Sequence, residues 1–367
     1  MILNLTVKDH NLKGTQTLCA ALVLLFAITT LSAQEKDALK FYGDLRLRFE
    51  KDYSVTGKEA RDRTRYRFRF GLVHKRGDNI EVGARIRTGN PTDQQSPHQN
   101  FGGDFGSKPL NFDKIYFKYK FESGWFWIGK NSFPFWKQNE MFWDDDVTPE
   151  GVSASYSAKD FAGEGSKLTL TGGQFIIDHF NEGLFESTIS AAQVSLNKKS
   201  DAVDITAATG IYLFNNEVRD SVSYNALNGM DHKIFVASAQ VKFNLSSDVL
   251  MTLGADFMRN FEDPTVAGFE GETNGFVAQV SVKPGKWTLA AYYANIQKFA
   301  VVPNFAQDDW WRFGSGHTNS SDLKGFEIRV AYQLARKMNL VARHYVTEEI
   351  VGSKDANRFR LDFNIKY

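Results

Sequence analysis

Residues 61–70 read RDRTRYRFRF, and this stretch decides how the chain folds. Arg61, Arg63, Arg65, Arg67 and Arg69 take every second position, while the others run from Asp62 and Thr64 to Tyr66, Phe68 and Phe70. Side chains alternate faces along an extended strand, so one face here is guanidinium and the other turns aromatic. The period continues outward from this stretch. In FYGDLRLRFE, Phe41, Gly43, Leu45, Leu47 and Phe49 share a face, opposite Tyr42, Asp44, Arg46, Arg48 and Glu50. Ile80, Val82, Ala84 and Ile86 stand against Glu81, Arg85 and Arg87. Ile115, Phe117, Tyr119 and Phe121 stand against Lys114, Tyr116, Lys118 and Lys120.

Carried along the chain, the same pattern predicts about sixteen strands. They fall near 40–50, 63–74, 79–87, 112–121, 125–130, 151–158, 167–177, 188–197, 202–213, 233–245, 249–259, 275–283, 287–296, 324–334, 338–347 and 358–367. Gly, Ala and Trp blur the alternation at 125–130, 167–177 and 188–197. Connections after even-numbered strands are mostly short (KRGD, ESG, KKSD, SSD, KPGK, ARK). Those after odd-numbered strands are mostly long: 51–62, 88–111, 131–150, 214–232, 260–274 and 297–323. A meander with its long loops at one end and tight turns at the other predicts an all-β, antiparallel up-and-down transmembrane barrel. The charge supports that sense, because a small dry barrel could not bury so many Arg, Lys and Asp side chains. A wide barrel sets the apolar face against lipid and the charged face against a water-filled lumen.

Composition narrows the class further. Lys8 and Lys13, the apolar run Leu18–Leu31, and Leu31-Ser32-Ala33 before Gln34 predict a signal peptide over residues 1–33, leaving one barrel domain over 34–367. Cys19, the single cysteine, lies within that leader. Without the leader, 42 basic and 42 acidic side chains remain of the chain's 44 and 43, a balance that gives nucleic-acid binding no support. The charge is nonetheless uneven, with 20 Lys and Arg against 13 Asp and Glu over residues 34–130. No apolar run after residue 33 approaches the roughly 20 residues of a membrane helix, whereas a spanning strand needs only about 9–11.

Two constellations could carry function. The first is a basic arc predicted to line the pore: Arg46, Arg48, Arg63, Arg65, Arg67, Arg69, Arg85, Arg87, Lys114, Lys118 and Lys120. Barrel closure adds Arg358 and Arg360 to it. Rings of Arg or Lys bias a pore toward anions, whereas a single such strand would read as a solvated face with counter-charges. The second is NSFPFWKQNEMFWDDDVTPEG, residues 131–151, which breaks the period and joins Phe133, Pro134, Phe135, Trp136, Phe142 and Trp143 to Asp144, Asp145 and Asp146. So many large rings suit a loop tucked into the barrel, where it would form the constriction with its carboxylates opposing the arc. A subunit contact is the alternative reading of the rings. A calcium site is an alternative for the aspartates, although their spacing fits no defined calcium loop. No cofactor is implied. No HExxH, GxSxG or Walker motif occurs, and His317, Asn319, Ser320 and Ser321 sit together on one presumed loop with no rigid frame for a triad.

In its leader, meander, inward third loop and terminal strand RFRLDFNIKY, the chain resembles bacterial outer-membrane diffusion porins. WIGKNSFPFW and WDDDVTPEGV are similar to stretches of porins grouped with phosphate-selective and alginate-export channels. The resemblance implies an outer-membrane location, passage of small hydrophilic or anionic solutes, and a homotrimer in the lipid bilayer. It also implies that Phe359, Leu361, Phe363, Ile365 and Tyr367 are read by the barrel assembly machinery. A short acidic-Gly motif of general porins is missing from the third loop. The alternatives are a channel selective for phosphate or acidic oligosaccharides, a plugged barrel acting in binding or adhesion, and a membrane-barrel enzyme.

Overall fold

The computed structural model describes residues 37–178, 187–216, 232–262, 266–313 and 320–367. The expected signal peptide, residues 1–33, lies outside the described residues, as do His317 and Asn319. Among the described residues seventeen strands form one sheet. They are β1 (Ala38–Tyr53), β2 (Arg61–Arg76), β3 (Ile80–Thr88), β4 (Gln99–Asn100), β5 (Leu110–Phe121), β6 (Gly124–Lys130), β7 (Glu150–Lys159), β8 (Ser166–Asp178) and β9 (Ser187–Lys199). There follow β10 (Val203–Asn216), β11 (His232–Ser246), β12 (Val249–Asn260), β13 (Asn274–Pro284), β14 (Trp287–Ile296), β15 (Leu323–Ala335), β16 (Met338–Glu349) and β17 (Asp355–Lys366). The two-residue β4 lies within a loop and pairs with Arg65 and Tyr66 of β2. The other sixteen form the wall, each antiparallel to its chain neighbour, and β17 closes on β1. Closure is what the physics asks for, because an open sheet edge in hydrocarbon would leave backbone groups unpaired.

The outward face is the apolar one. Phe41, Leu47, Phe49, Ile115, Ile128, Phe276, Phe326 and Ile328 are exposed around the barrel. Such a belt would be a liability in water and is the normal surface in lipid. Rings lie over it in contact with one another, as Phe41 on Phe70 and Trp287 on Tyr332.

The inward face divides into two unlike halves. On β1–β3, β5 and β15–β17 it is charged, with Asp44, Arg48, Glu50, Asp52, Arg67, Arg85, Glu327, Arg358, Arg360 and Asp362 buried in the lumen. On β6 and β8–β13 it is apolar, carrying Trp127, Phe175, Ile189, Tyr212, Phe214, Ile234, Met258 and Val277. That second half is why the alternation blurs at β6, β8 and β9: Trp127, Phe175 and Ile189 face a core inside the barrel, beside the polar Thr171 and Gln193, while the other face meets lipid. One further departure is a bulge in β5. Arg85 pairs with Lys114 but Ile86 pairs with Phe112, so Asp113 is an extra residue and points inward alongside Lys114. The bulge brings Asp113 onto Arg85 at 2.6 Å while keeping Leu110 and Phe112 on the outside.

Candidate functional site

The core inside the barrel belongs to two loops. The first is the β6–β7 connection, residues 131–149. Phe133, Phe135 and Phe142 pack against Tyr212 of the wall, Phe135 also against Phe175, and Trp143 belongs to the same core. Gln193 of β9 fixes its backbone by accepting from Trp136 N–H at 2.8 Å and donating to Trp136 C=O at 2.9 Å. Gln138 reaches the wall further round, donating to Ala255 C=O at 2.8 Å and to Asp256 Oδ1 at 2.9 Å. The loop therefore crosses the lumen from β6 and β7 to β12.

The second is the β14–β15 connection, described over residues 297–313 and 320–322, which the sequence pattern marks only as one more long loop. Ala300, Val301, Val302, Ala306 and Trp310 are all buried. Phe305 stacks on Trp143 with ring centroids 5.1 Å apart, and Asp144 N–H donates to Phe305 C=O at 2.7 Å. Gln95, from the β3–β5 connection, donates to Pro303 C=O and Ala306 C=O. Three loops thus lock together inside the barrel. The missed signal is visible in NFAQDDWWRF, residues 304–313, where rings and paired aspartates stand together much as in the third loop. The argument against exposing so many rings applies to it equally.

The arc residues lie on the charged half. Register sets guanidinium against guanidinium at Arg46↔Arg67 and Arg48↔Arg65, and opposite charges at Asp44↔Arg69, Glu50↔Arg63 and Asp52↔Arg61. Like charges directly opposite repel, so the arrangement depends on carboxylates placed beside them. Asp362 takes Arg48 through both oxygens, at 2.6 and 3.0 Å. Glu50 accepts from Arg63 and, at 2.5 Å, from Arg360. Asp52 accepts from Arg61 and Arg358. Arg46 donates to Asn364 at 2.7 Å, and Arg87 to the backbone of Asp93 and Gln94. Lys114 bonds Ser132, Lys118 lies over the Trp125 ring, and Lys120 pairs with Glu81. The arc is a lattice of ion pairs, not a row of bare cations.

The loop aspartates part company. Asp146 does not face the arc across a gap; it bonds Arg67 and Arg69 directly, at 3.4 and 2.5 Å. Burial alone would raise its pKa, but Arg69, Arg67 and Arg87 outweigh burial and hold the carboxyl down. Asp145 is exposed and pairs with Lys137. Asp144 is buried, and burial together with Glu140 and Asp308 pushes its pKa well up. With three different sets of partners, the three carboxylates form no shared oxygen cage for calcium. Among the described residues no cluster of His, Cys, Asp and Glu could hold a metal ion.

Asp309, on the β14–β15 loop, is the hub of the lattice. It accepts from Arg343 at 2.5 Å and from Arg360, and lies 3.9 Å from Arg48. Arg343 and Arg360 are cross-strand partners on β16 and β17, so one loop carboxylate neutralises two adjacent guanidiniums. Two cavities flank the hub: Asp309 itself lines one, and its neighbour Asp308 and its partner Arg360 line the other. One, of about 350 Å³, opens among the long loops and is lined by seven basic side chains, including Arg61, Arg65 and Arg358, and by four acidic ones. The other, of about 240 Å³, lies deeper, between the β6–β7 loop and the wall of β13–β16, with Glu140, Asp145, Arg329 and Arg343 on its surface. Burial, and then Asp145 beside it, pushes the Glu140 pKa up to about 8. As pH rises through that value Glu140 ionises next to Asp145, Asp309 and Lys137, adding negative charge to the deeper cavity. Anion preference, read as the reversal potential in a salt gradient, should therefore fall across this range. Glu140→Gln should flatten the response.

A family model described as "Putative porin" matches residues 53–260. Among curated proteins no match is found. Solved structures share the fold at low identity. OmpF of Salmonella typhi, solved with daunomycin, is 12% identical with a TM-score of 0.55, over 89% of this chain and 97% of that one. The outer membrane channel DcaP of Acinetobacter baumannii is 13% identical with a TM-score of 0.54, over 90% and 97%. OmpT of Vibrio cholerae, an outer membrane protein in its trimer form, is 12% identical with a TM-score of 0.52, over 90% and 99%.

Proposed function

Because this chain belongs to the porin family, an outer-membrane channel for passive diffusion, we propose that its pathway favours small hydrophilic anions and is narrowed by two inward loops. The observation that carries the reading is the outer cavity, where basic side chains outnumber acidic ones seven to four beside the ion-pair lattice. In a confined low-dielectric passage such an excess concentrates anions and repels cations. The lattice adds a way through. An entering anion can take the place of a carboxylate on a guanidinium, and the displaced carboxylate can re-pair behind it. Asp309 lines the deeper cavity and holds Arg360, which lines the outer one, so the exchange that matters most is on Arg343 and Arg360.

The reading has further parts. Residues 1–33 direct export, and the outward row Phe359, Leu361, Phe363, Ile365 and Tyr367 on the closing strand is what the assembly machinery engages. A homotrimer is supported by the trimer form of the similar OmpT. The test is conductance of the purified protein in planar bilayers, with selectivity from the reversal potential. Replacing Arg65, Arg67 and Arg69 together with Ala removes three cations and strips Asp44 and Asp146 of their partners. The reversal potential should then move toward that of a cation-preferring pore. An unchanged potential would place selectivity elsewhere.

A further inference from the structure

His98 lies in the β3–β5 loop and is buried inside the barrel. The two-residue β4 pairs Asn100 with Arg65 and Gln99 with Tyr66, which carries His98 on toward Arg67 along the inner wall of β2. His98 is only 8% exposed, and the charges acting on its ring are Arg48, Arg46, Arg65 and Arg67. Burial and those four guanidiniums hold its pKa well below the usual histidine value, so the ring is neutral.

Its tautomer follows from one short chain of contacts. Arg65 Nη2 donates to Ser96 Oγ at 3.3 Å, and Ser96 Oγ lies 3.5 Å from His98 Nδ1. A hydroxyl already accepting from a guanidinium has its own proton to give. Given to Nδ1, it leaves the ring N–H on Nε2. That Nε2 is buried with no hydrogen-bond partner in the protein, and so are Arg48 Nη1 and Arg65 Nε. Arg48 and Arg65 are direct cross-strand partners. Three neighbouring side chains thus hold N–H donors without a hydrogen bond, Arg48 Nη1 having only the Asp309 carboxylate at 3.9 Å, beyond hydrogen-bond reach. Leaving buried donors unmade costs about 1–3 kcal/mol each, more when they are charged. The complementary ligand is a small oxyanion. Arg65 and Ser96 also line the outer cavity, which supplies the route in.

We propose that His98 Nε2, Arg48 and Arg65 form a discrete binding station for a small oxyanion in transit, with Ser96 as the positioning residue that sets the imidazole tautomer. The inference rests on the channel reading and adds to it a residue outside the predicted arc. The test measures chloride current through the purified full-length protein in planar bilayers while inorganic phosphate is titrated in at constant ionic strength. Wild type should show a saturable reduction of current. His98→Ala should raise the half-blocking phosphate concentration about tenfold, the effect of one hydrogen bond to a charged group. His98→Gln, whose amide can present an N–H, should recover part of that loss, and Ser96→Ala should weaken block without removing a group that touches the anion. Should His98→Ala fail to fold, the other two variants carry the comparison. Chloride current that phosphate leaves untouched, or equal block in wild type and the His98 variants, would overturn the station and spare the channel. No current in chloride at all would instead remove the channel reading itself.

Discussion

Asp309→Ala will raise single-channel conductance severalfold and move selectivity further toward anions. Asp309 neutralises Arg343 and Arg360 and approaches Arg48; it lines the deeper cavity, and its partner Arg360 lines the outer one. The Arg360 side chain is 1% exposed, and breaking a buried pair by removing one partner typically costs about 3–5 kcal/mol. Two features let the barrel tolerate this loss. Arg360 keeps Glu50 at 2.5 Å, and the stranded charge borders water-accessible space that anions can enter. The measurements are conductance and reversal potential in bilayers, with heat-resistant electrophoretic migration as the check on the barrel. Unaltered conductance in a folded variant would mean that the hub is not the narrow point. A shift toward cations would mean that Asp309 screens nothing the solute feels.

Trp143→Ala should undo the inner core without opening the wall. Trp143 is stacked between the two loops, on Phe133 at 4.3 Å and on Phe305 at 5.1 Å, and its indole N–H donates to Val147 C=O at 3.0 Å. Truncating a buried tryptophan costs about 3–5 kcal/mol, all of it falling here on loop–loop and loop–wall contacts. Neither loop contributes strand pairing to the sixteen-strand wall, so the barrel should keep its heat resistance. The loops should lose their protection: trypsin should cut after Lys137 in the variant and not in wild type, and current traces should become noisy. A variant as resistant as wild type would show that the remaining rings hold the loops alone.

The architecture was legible because lipid and water impose a period of two, as RDRTRYRFRF displays. Where the sequence reading weakened, the physics had changed. The strands near 125–130, 167–177 and 188–197 lost their alternation because Trp127, Phe175 and Ile189 face a core inside the barrel, not water. The Asp113 bulge adds one residue and reverses parity within β5, and no local feature of FDKIYF marks it. The acidic partners of the arc shared its parity all along. Asp44, Glu50 and Asp52 alternate with Arg46 and Arg48, so the lattice could have been anticipated, although which carboxylate meets which guanidinium depends on register. The β14–β15 loop carried its own signal in rings and aspartates. His98 carried none, because its position depends on a two-residue pairing inside a long loop.

The seam between β17 and β1 has one more property. Its cross-strand partners are Arg48↔Asp362, Glu50↔Arg360 and Asp52↔Arg358, joining residues more than 300 positions apart. A slip of one residue would turn these side chains from the lumen to the lipid face. A slip of two keeps their facing but sets Arg48 against Arg360 in one direction, or Glu50 against Asp362 in the other. The first two-residue slip keeps two opposite-charge pairs, Arg46 with Asp362 and Glu50 with Arg358, and the second keeps one, Asp52 with Arg360, against three in the native register. The first and last strands work as a coded clasp, and by favouring one alignment they also bias the stagger of the strands, and with it the tilt and girth of the barrel.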